Sequence, residues 1–188
     1  MIDNFDKIKS LLRFENDNDF YFLQIIKRKK DNPGLEKSEK TLKNYFIYSL
    51  DEFDALKPKV IDFCIENNAR GYFRLNKRNG EMITLQMMKR LVDNIVSKQY
   101  RNIENMYSSV CGSYNSDPNK TWVLDVDDDQ DGKKIKHIKD ILLEKDIIYN
   151  ILQTKNGCHV ITPPFDQRLM PSYLCDIHKD NPTILFIP

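Results

Sequence analysis

The sequence predicts a mixed α/β chain of the α+β class, and three observations predict it. Between residues 20 and 100, short runs rich in aromatic and β-branched residues alternate with two longer stretches of helical periodicity. Residues 146–161 read as a β-hairpin that turns at Lys155-Asn156-Gly157, which makes the pairing there antiparallel. Between residues 101 and 120 periodicity lapses and Asn, Ser, Gly, Asp and Pro gather. The chain is therefore expected to divide into an N-terminal α/β module, residues 1–105, and a C-terminal module, residues 106–188, packed together as one compact domain.

Each element follows from its residues. Phe5 to Phe14 is a short amphipathic piece that ends in the polar turn Glu15-Asn16-Asp17-Asn18-Asp19. Phe20 to Ile26 is a strand by its aromatic and β-branched content. It runs into Lys27-Arg28-Lys29-Lys30, a run that is ordinarily a solvated loop end and is also able to contact phosphates. Lys43 to Leu50 is a second strand. Ser49 opens a helix to about Asn68, with Phe53, Leu56, Val60, Ile61 and Cys64 at helical spacing and Pro58 as a potential interruption. Ala69 to Asn76 is a third strand that sets Arg74 on the face of Tyr72 and Asn76. A second helix, Thr84 to Tyr100, is expected to bury Leu85, Met88, Leu91, Val92, Ile95 and Val96 in the core. Trp122 to Asp127 is a strand, Lys133 to Lys145 a helix, and Thr183 to Ile187 a final strand, while residues 167–175 take no clear type. Repeats and low-complexity segments are absent.

At 188 residues the chain is long enough for a sizeable core, and 29 Lys and Arg against 28 Asp and Glu give no overall basic field. The distribution is more informative. Residues 1–120 carry 21 basic and 17 acidic side chains, and residues 121–188 carry 8 and 11. An acidic C-terminal third suits a metal site and a mildly basic remainder suits a polyanion, with chance scatter as the plain alternative. The four cysteines, Cys64, Cys111, Cys158 and Cys175, form no CxxC pair, which argues against a zinc ribbon or a disulfide framework and fits reduced thiols in a cytoplasmic protein. No apolar run reaches the length of a membrane span and Met1-Ile2-Asp3-Asn4 does not open a signal peptide, so no membrane partner is expected.

The chemistry concentrates in Trp122-Val123-Leu124-Asp125-Val126-Asp127. Carboxylates at i and i+2 of a strand share one face, and like charges that close are unfavourable unless a cation lies between them. Asp125 sits inside an apolar run, where an unpaired charge is costly, so it is the clearest pointer to a metal. If the hairpin pairs beside this strand, His159 comes close to both acids. Lys155 and Gly157 precede it, a side-chain donor and a residue that lets backbone approach a phosphate. His159 also has a plain reading as a hydrogen-bonded structural residue. Asp127 to Gly132 opens like an EF-hand loop, but its twelfth position is Ile138 and a strand precedes it, so a solvated acidic turn through Asp128, Asp129 and Asp131 accounts for it better. Cys158 faces the other side and has no base beside it.

The run Val123-Leu124-Asp125-Val126-Asp127, followed after a helix by Thr154-Lys155-Asn156-Gly157-Cys158-His159-Val160, resembles the first two motifs of the archaeo-eukaryotic primase superfamily. Those motifs are a strand ending in D-x-D and a strand with a small residue two before a His. Many members have Ser where this chain has Gly157, a departure also common among phage-type relatives. The resemblance covers residues 121–188 and implies an RRM-like, ferredoxin-like palm at 106–188 with a mostly antiparallel sheet. It implies two Mg²⁺ or Mn²⁺ ions held by Asp125, Asp127 and a third carboxylate. Asp180 is the first candidate for that third position, with Asp166 and Asp176 as competitors. His159 and Lys155 would orient the triphosphate beside Gly157, and Arg74 and Arg78 would contact template or triphosphate. The implied partners are a DNA template, NTP or dNTP, and a helicase or other replication protein. No helicase, zinc or helical priming segment follows the last strand, so the expectation is a minimal catalytic module or a part cut from a longer chain.

Three functions are thus expected in order. The first is a metal-dependent nucleotidyltransferase of the primase-polymerase type. The second is a non-catalytic single-stranded-nucleic-acid-binding replication accessory protein on the same fold. The third is a metal-dependent nuclease or nicking enzyme, disfavoured because His137, His159 and His178 lie far apart in sequence and no nucleophilic Tyr pattern is evident.

Overall fold

The computed structural model describes residues 1–115, 117–127, 129 and 131–188. Ser116 of the connection and Asp128 of the acidic turn lie outside the described residues. The order of elements is β1 (Ile2–Asp3), α1 (Phe5–Lys9), β2 (Asp19–Arg28), β3 (Glu39–Ile47), α2 (Leu50–Asn67), β4 (Arg70–Asn79), α3 (Gly80–Val96), α4 (Met106–Ser113), β5 (Trp122–Asp127), α5 (Lys133–Glu144), β6 (Asn150–Gln153), β7 (Gly157–Thr162), β8 (Asp176–His178) and β9 (Thr183–Ile187). Two antiparallel sheets result, one ordered β1-β9-β4-β2-β3 and the other β6-β7-β5-β8. The chain is mixed α and β with antiparallel sheets, as expected of the α+β class.

In the second sheet the first strand, β5, lies between the third and the fourth, with the second at the edge. This is the strand order of a split βαβ unit, with α5 as its first helix. A single 3₁₀ turn, Gln167–Leu169, stands where a second helix would come. The last strand crosses back, since β9 pairs with β1 and β4 in the first sheet. Residues 183–187 therefore complete the N-terminal sheet, and the two modules interleave.

Burial follows the strand alternation. On one face of the first sheet Leu23, Ile25, Phe73 and Leu75 pack against Phe5 and Ile8 of α1 and Phe53, Val60 and Cys64 of α2, and Val123, Leu152 and Ile161 of the second sheet join the same cluster. The far face of the second sheet puts Leu124, Val126 and Val160 against Ile138 and Leu142 of α5. The other face of the first sheet is covered only in part: Phe20 and Phe22 pack under α3 and α4 through Ile83, Met106, Val110 and Cys111. Two buried asparagines tie the modules together. Asn4 donates to the carbonyls of Gln153 and Ile184, and Asn76 accepts from the Thr121 amide and donates to its carbonyl. Among the described residues no helix is long and apolar enough to cross a membrane.

Several expectations need correction. α3 starts at Gly80 and ends at Val96, and its apolar side is largely not core: Leu85, Met88, Val92, Ile95 and Val96 are all more than half exposed. α4 lies inside the stretch that the sequence presents as a plain connection, and β8 is a strand that the sequence pattern does not predict. Pro58 does not interrupt α2, because the carbonyl it leaves unpaired belongs to the exposed Asp54. Gly157 has a structural reason to be glycine: a Cβ there would overlap the carbonyl oxygen of Val126 on the paired strand. Gly157→Ala should therefore destabilise the chain by about 2 kcal/mol, read as a lower urea midpoint; an unchanged midpoint would show that the strands can separate to admit a methyl group.

Candidate functional site

The site is built by strand register. In the β5–β7 ladder Asp125 stands opposite His159, and Asp127 opposite Gly157. Opposed residues share a face, so both acids and the imidazole point away from α5 and toward the first sheet. His159 Nε2 lies 3.3 Å from Asp125 Oδ1, and its Nδ1 lies 2.8 Å from the hydroxyl of the buried Thr183 on β9. Both ring nitrogens are thus held, one by each sheet, and the buried ring has a fixed orientation. Asp125 keeps a partly exposed carboxylate. The His159 hydrogen bond holds its carboxyl below the usual range against the opposing effect of burial, with the charges of His178 and Lys30 assisting. Asp127 is exposed at the end of β5.

A cleft of about 470 Å³ opens in front of these residues. Its second wall is the uncovered part of the first sheet, where Gln24, Ile26, Tyr72 and Arg74 line it. Cations ring it: Arg28, Lys30, Arg70, Arg74 and Lys155 all reach its surface, with His178. Two of them are held by one carboxylate. Asp31 accepts from Arg70 Nε at 2.7 Å and Nη2 at 2.8 Å, and from Lys155 Nζ at 3.1 Å. This contact also ties the β6–β7 turn to the N-terminal module. Arg28 pairs with Glu39 at 3.3 Å. At the cleft Arg74 Nε and Thr154 Oγ1 are buried and have no hydrogen-bond partner among the described residues.

The residues named from sequence separate into two groups. Asp125, Asp127, His159, Lys155 and Arg74 line one cleft. Asp180 and Arg78 belong to a structural network instead. The Arg78 side chain is fully buried, donates to the carbonyls of Cys111 and Asn76, and pairs through Nη2 with Asp180 Oδ2 at 2.8 Å. Asn76 and Asn115 also donate to Asp180 Oδ1, and Arg74 donates to its backbone carbonyl. A carboxylate neutralising a buried guanidinium is not free to hold a cation, and a guanidinium so enclosed cannot reach a triphosphate. The carboxylate that register does place beside Asp125 is Asp176, its opposite on β8. Asp166 forms a local pair with Arg168. Arg28 and Lys30 belong to the basic run at the end of β2 that the sequence offers as a phosphate contact, while no sequence signal marks Arg70, Tyr72 or His178 as cleft residues.

The acidic turn is accounted for locally, since Asp129 accepts from the amides of Lys134 and Ile135 and caps α5. Among the described residues no group of three or more His, Cys, Asp and Glu is placed to hold a metal ion. Asp125 and Asp127 are still a donor pair of the kind Mg²⁺ uses, because that ion keeps several waters and takes one or two protein carboxylates together with substrate phosphates. Comparison of the chain with protein-family models, curated proteins and solved structures finds no match.

The Asp31 contacts set a pH dependence. Its two cations, Arg70 first, lower its carboxyl from 3.8 to about 2 against burial. A depressed carboxyl contributes stability that is complete above its unfolded value and lost as pH falls through the folded one. Wild type should therefore exceed Asp31→Asn in stability at neutral pH, with the margin shrinking between roughly pH 4 and pH 2. Urea unfolding of both proteins across that range checks it, and a margin independent of pH would contradict it.

Proposed function

We propose that the chain is a metal-dependent nucleotidyltransferase of the primase-polymerase type, acting on a DNA template with NTP or dNTP. One observation carries this reading: an i, i+2 carboxylate pair and a fixed imidazole share a face that opens on a cleft ringed by cations. The primase-like motif order and the split βαβ strand order support it. Asp125 and Asp127, the pair that lines the cleft, would hold Mg²⁺ or Mn²⁺ together with substrate phosphates. Bound there, such ions lower the pKa of an attacking hydroxyl and neutralise charge on a triphosphate and its leaving group.

The protein's own groups have separable tasks. His159 is pinned by Thr183 and directs its other nitrogen toward Asp125, where it can donate to a phosphate oxygen. Lys155 and Arg70, gathered by Asp31, supply positive charge at the β6–β7 turn end of the cleft. Arg28 and Lys30 extend that charge along the open sheet, where a template backbone could lie. Arg74 has one nitrogen bound to the Asp180 carbonyl and its Nε unpartnered at the cleft wall.

A second reading, a nucleic-acid-binding protein without chemistry, is favoured by one contact: Asp125 is already engaged by His159. Labelled-nucleotide incorporation on a primed template with Mn²⁺ or Mg²⁺ separates the two. Asp125→Ala and Asp127→Ala should each lower incorporation more than about a hundredfold and leave the fold intact by circular dichroism. Equal incorporation by wild type and both variants, or template binding that survives chelation with no synthesis, would reject the enzyme in favour of the binding protein.

A further inference from the structure

The exposed side of α3 is not explained by the cleft or the core. Leu85 is 52% exposed, Met88 58%, Val92 59% and Ile95 51%. Their spacing of three, four and three residues forms the a/d seam of a helix that packs along another helix. Met82 and Val96 widen the stripe at its two ends, at 36% and 77% exposed. We propose that this stripe is a homodimer interface, in which α3 helices from two copies of the chain pair antiparallel about a two-fold axis.

Three features select a second copy as the occupant. The seam is self-complementary when reversed about residue 90: Leu85 meets Ile95 and Met88 meets Val92, with Met82 and Val96 flanking the two ends. The charges at its ends are complementary in the same arrangement. Exposed Glu81, at the start of α3, comes beside exposed Lys98 just past the end of the other copy's helix, each at the helix end that favours its sign. The area is also adequate. Six such side chains expose on the order of 600 Å² per copy, and with a polar rim two copies reach the roughly 1,600 Å² of a standard interface. The axis crosses at the height of residue 90, one position from the exposed Lys89, so the Lys89 ammonium groups of the two copies lie close and one like-charge contact limits the strength of the pair.

Sedimentation of the full chain over a range of concentrations tests this. The expected result is a concentration-dependent shift from the 22.3 kDa chain to twice that mass. Val92→Glu should remain at single-chain mass with unchanged circular dichroism, because the position is exposed. Lys89→Leu should tighten association about tenfold by replacing the like-charge contact with an apolar one, and this variant keeps the test open if Val92→Glu does not fold. A single-chain mass at millimolar concentration assigns the stripe to another protein or another segment and overturns the proposal. A dimer unaffected by Val92→Glu, or weakened by Lys89→Leu, overturns it as well.

Discussion

The register between β5 and β7 is the constraint on which the site depends. Side chains alternate along a strand, so a slip of one residue would turn His159 toward α5 and leave Asp125 facing the cleft alone. Three features oppose that slip. Leu124, Val126 and Val160 must stay on the α5 side, where they are fully buried. Gly157 admits the Val126 carbonyl where a Cβ would overlap it. Thr183, from the other sheet, holds the far nitrogen of the ring. The chemistry-bearing face is thus fixed by packing on the opposite face.

A second constraint is electrostatic. A cleft with this many cations would repel itself unless some were paired, and Asp31 and Glu39 supply that pairing at its edge. Asp125 sits at the opposite wall, where among the described residues the His159 imidazole is its partner. The charge pattern has a direction, positive along the first sheet and negative at the end of β5. Such a pattern suits a polyanion whose reacting end meets the acids through a cation. By contrast, the pairs Arg78–Asp180 and Lys77–Asp19 each neutralise a buried cation and hold β4 to its neighbours.

Much of this was legible in the residues. β5, α5 and the β6–β7 hairpin have clear periods and a clear turn, while the pairing of β7 beside β5 stood in the sequence only as a condition that the ladder meets. What escaped did so for physical reasons. β8 has three residues, too few for a period to appear. α4 reads Met-Tyr-Ser-Ser-Val-Cys-Gly-Ser, a poor helix by propensity, and forms because Met106, Val110 and Cys111 pack on Phe20 and Phe22. The α3 stripe has the same period whether it faces a core or solvent, so spacing alone could not locate it. Asp180 lay at a plausible distance along the chain, but the buried Arg78 that claims it is 102 positions away.

The most direct test of the central claim is to titrate Mn²⁺ into the protein in the presence of a non-hydrolysable nucleoside triphosphate and follow paramagnetic broadening of backbone resonances. The account predicts that residues 125–127, 158–160 and 176–178 broaden first and together, that Asp125→Ala abolishes the effect, and that residues around Asp180 follow only at higher Mn²⁺. Broadening centred on the Asp180–Arg78 network, or spread over the acidic surface without regard to β5, would contradict it.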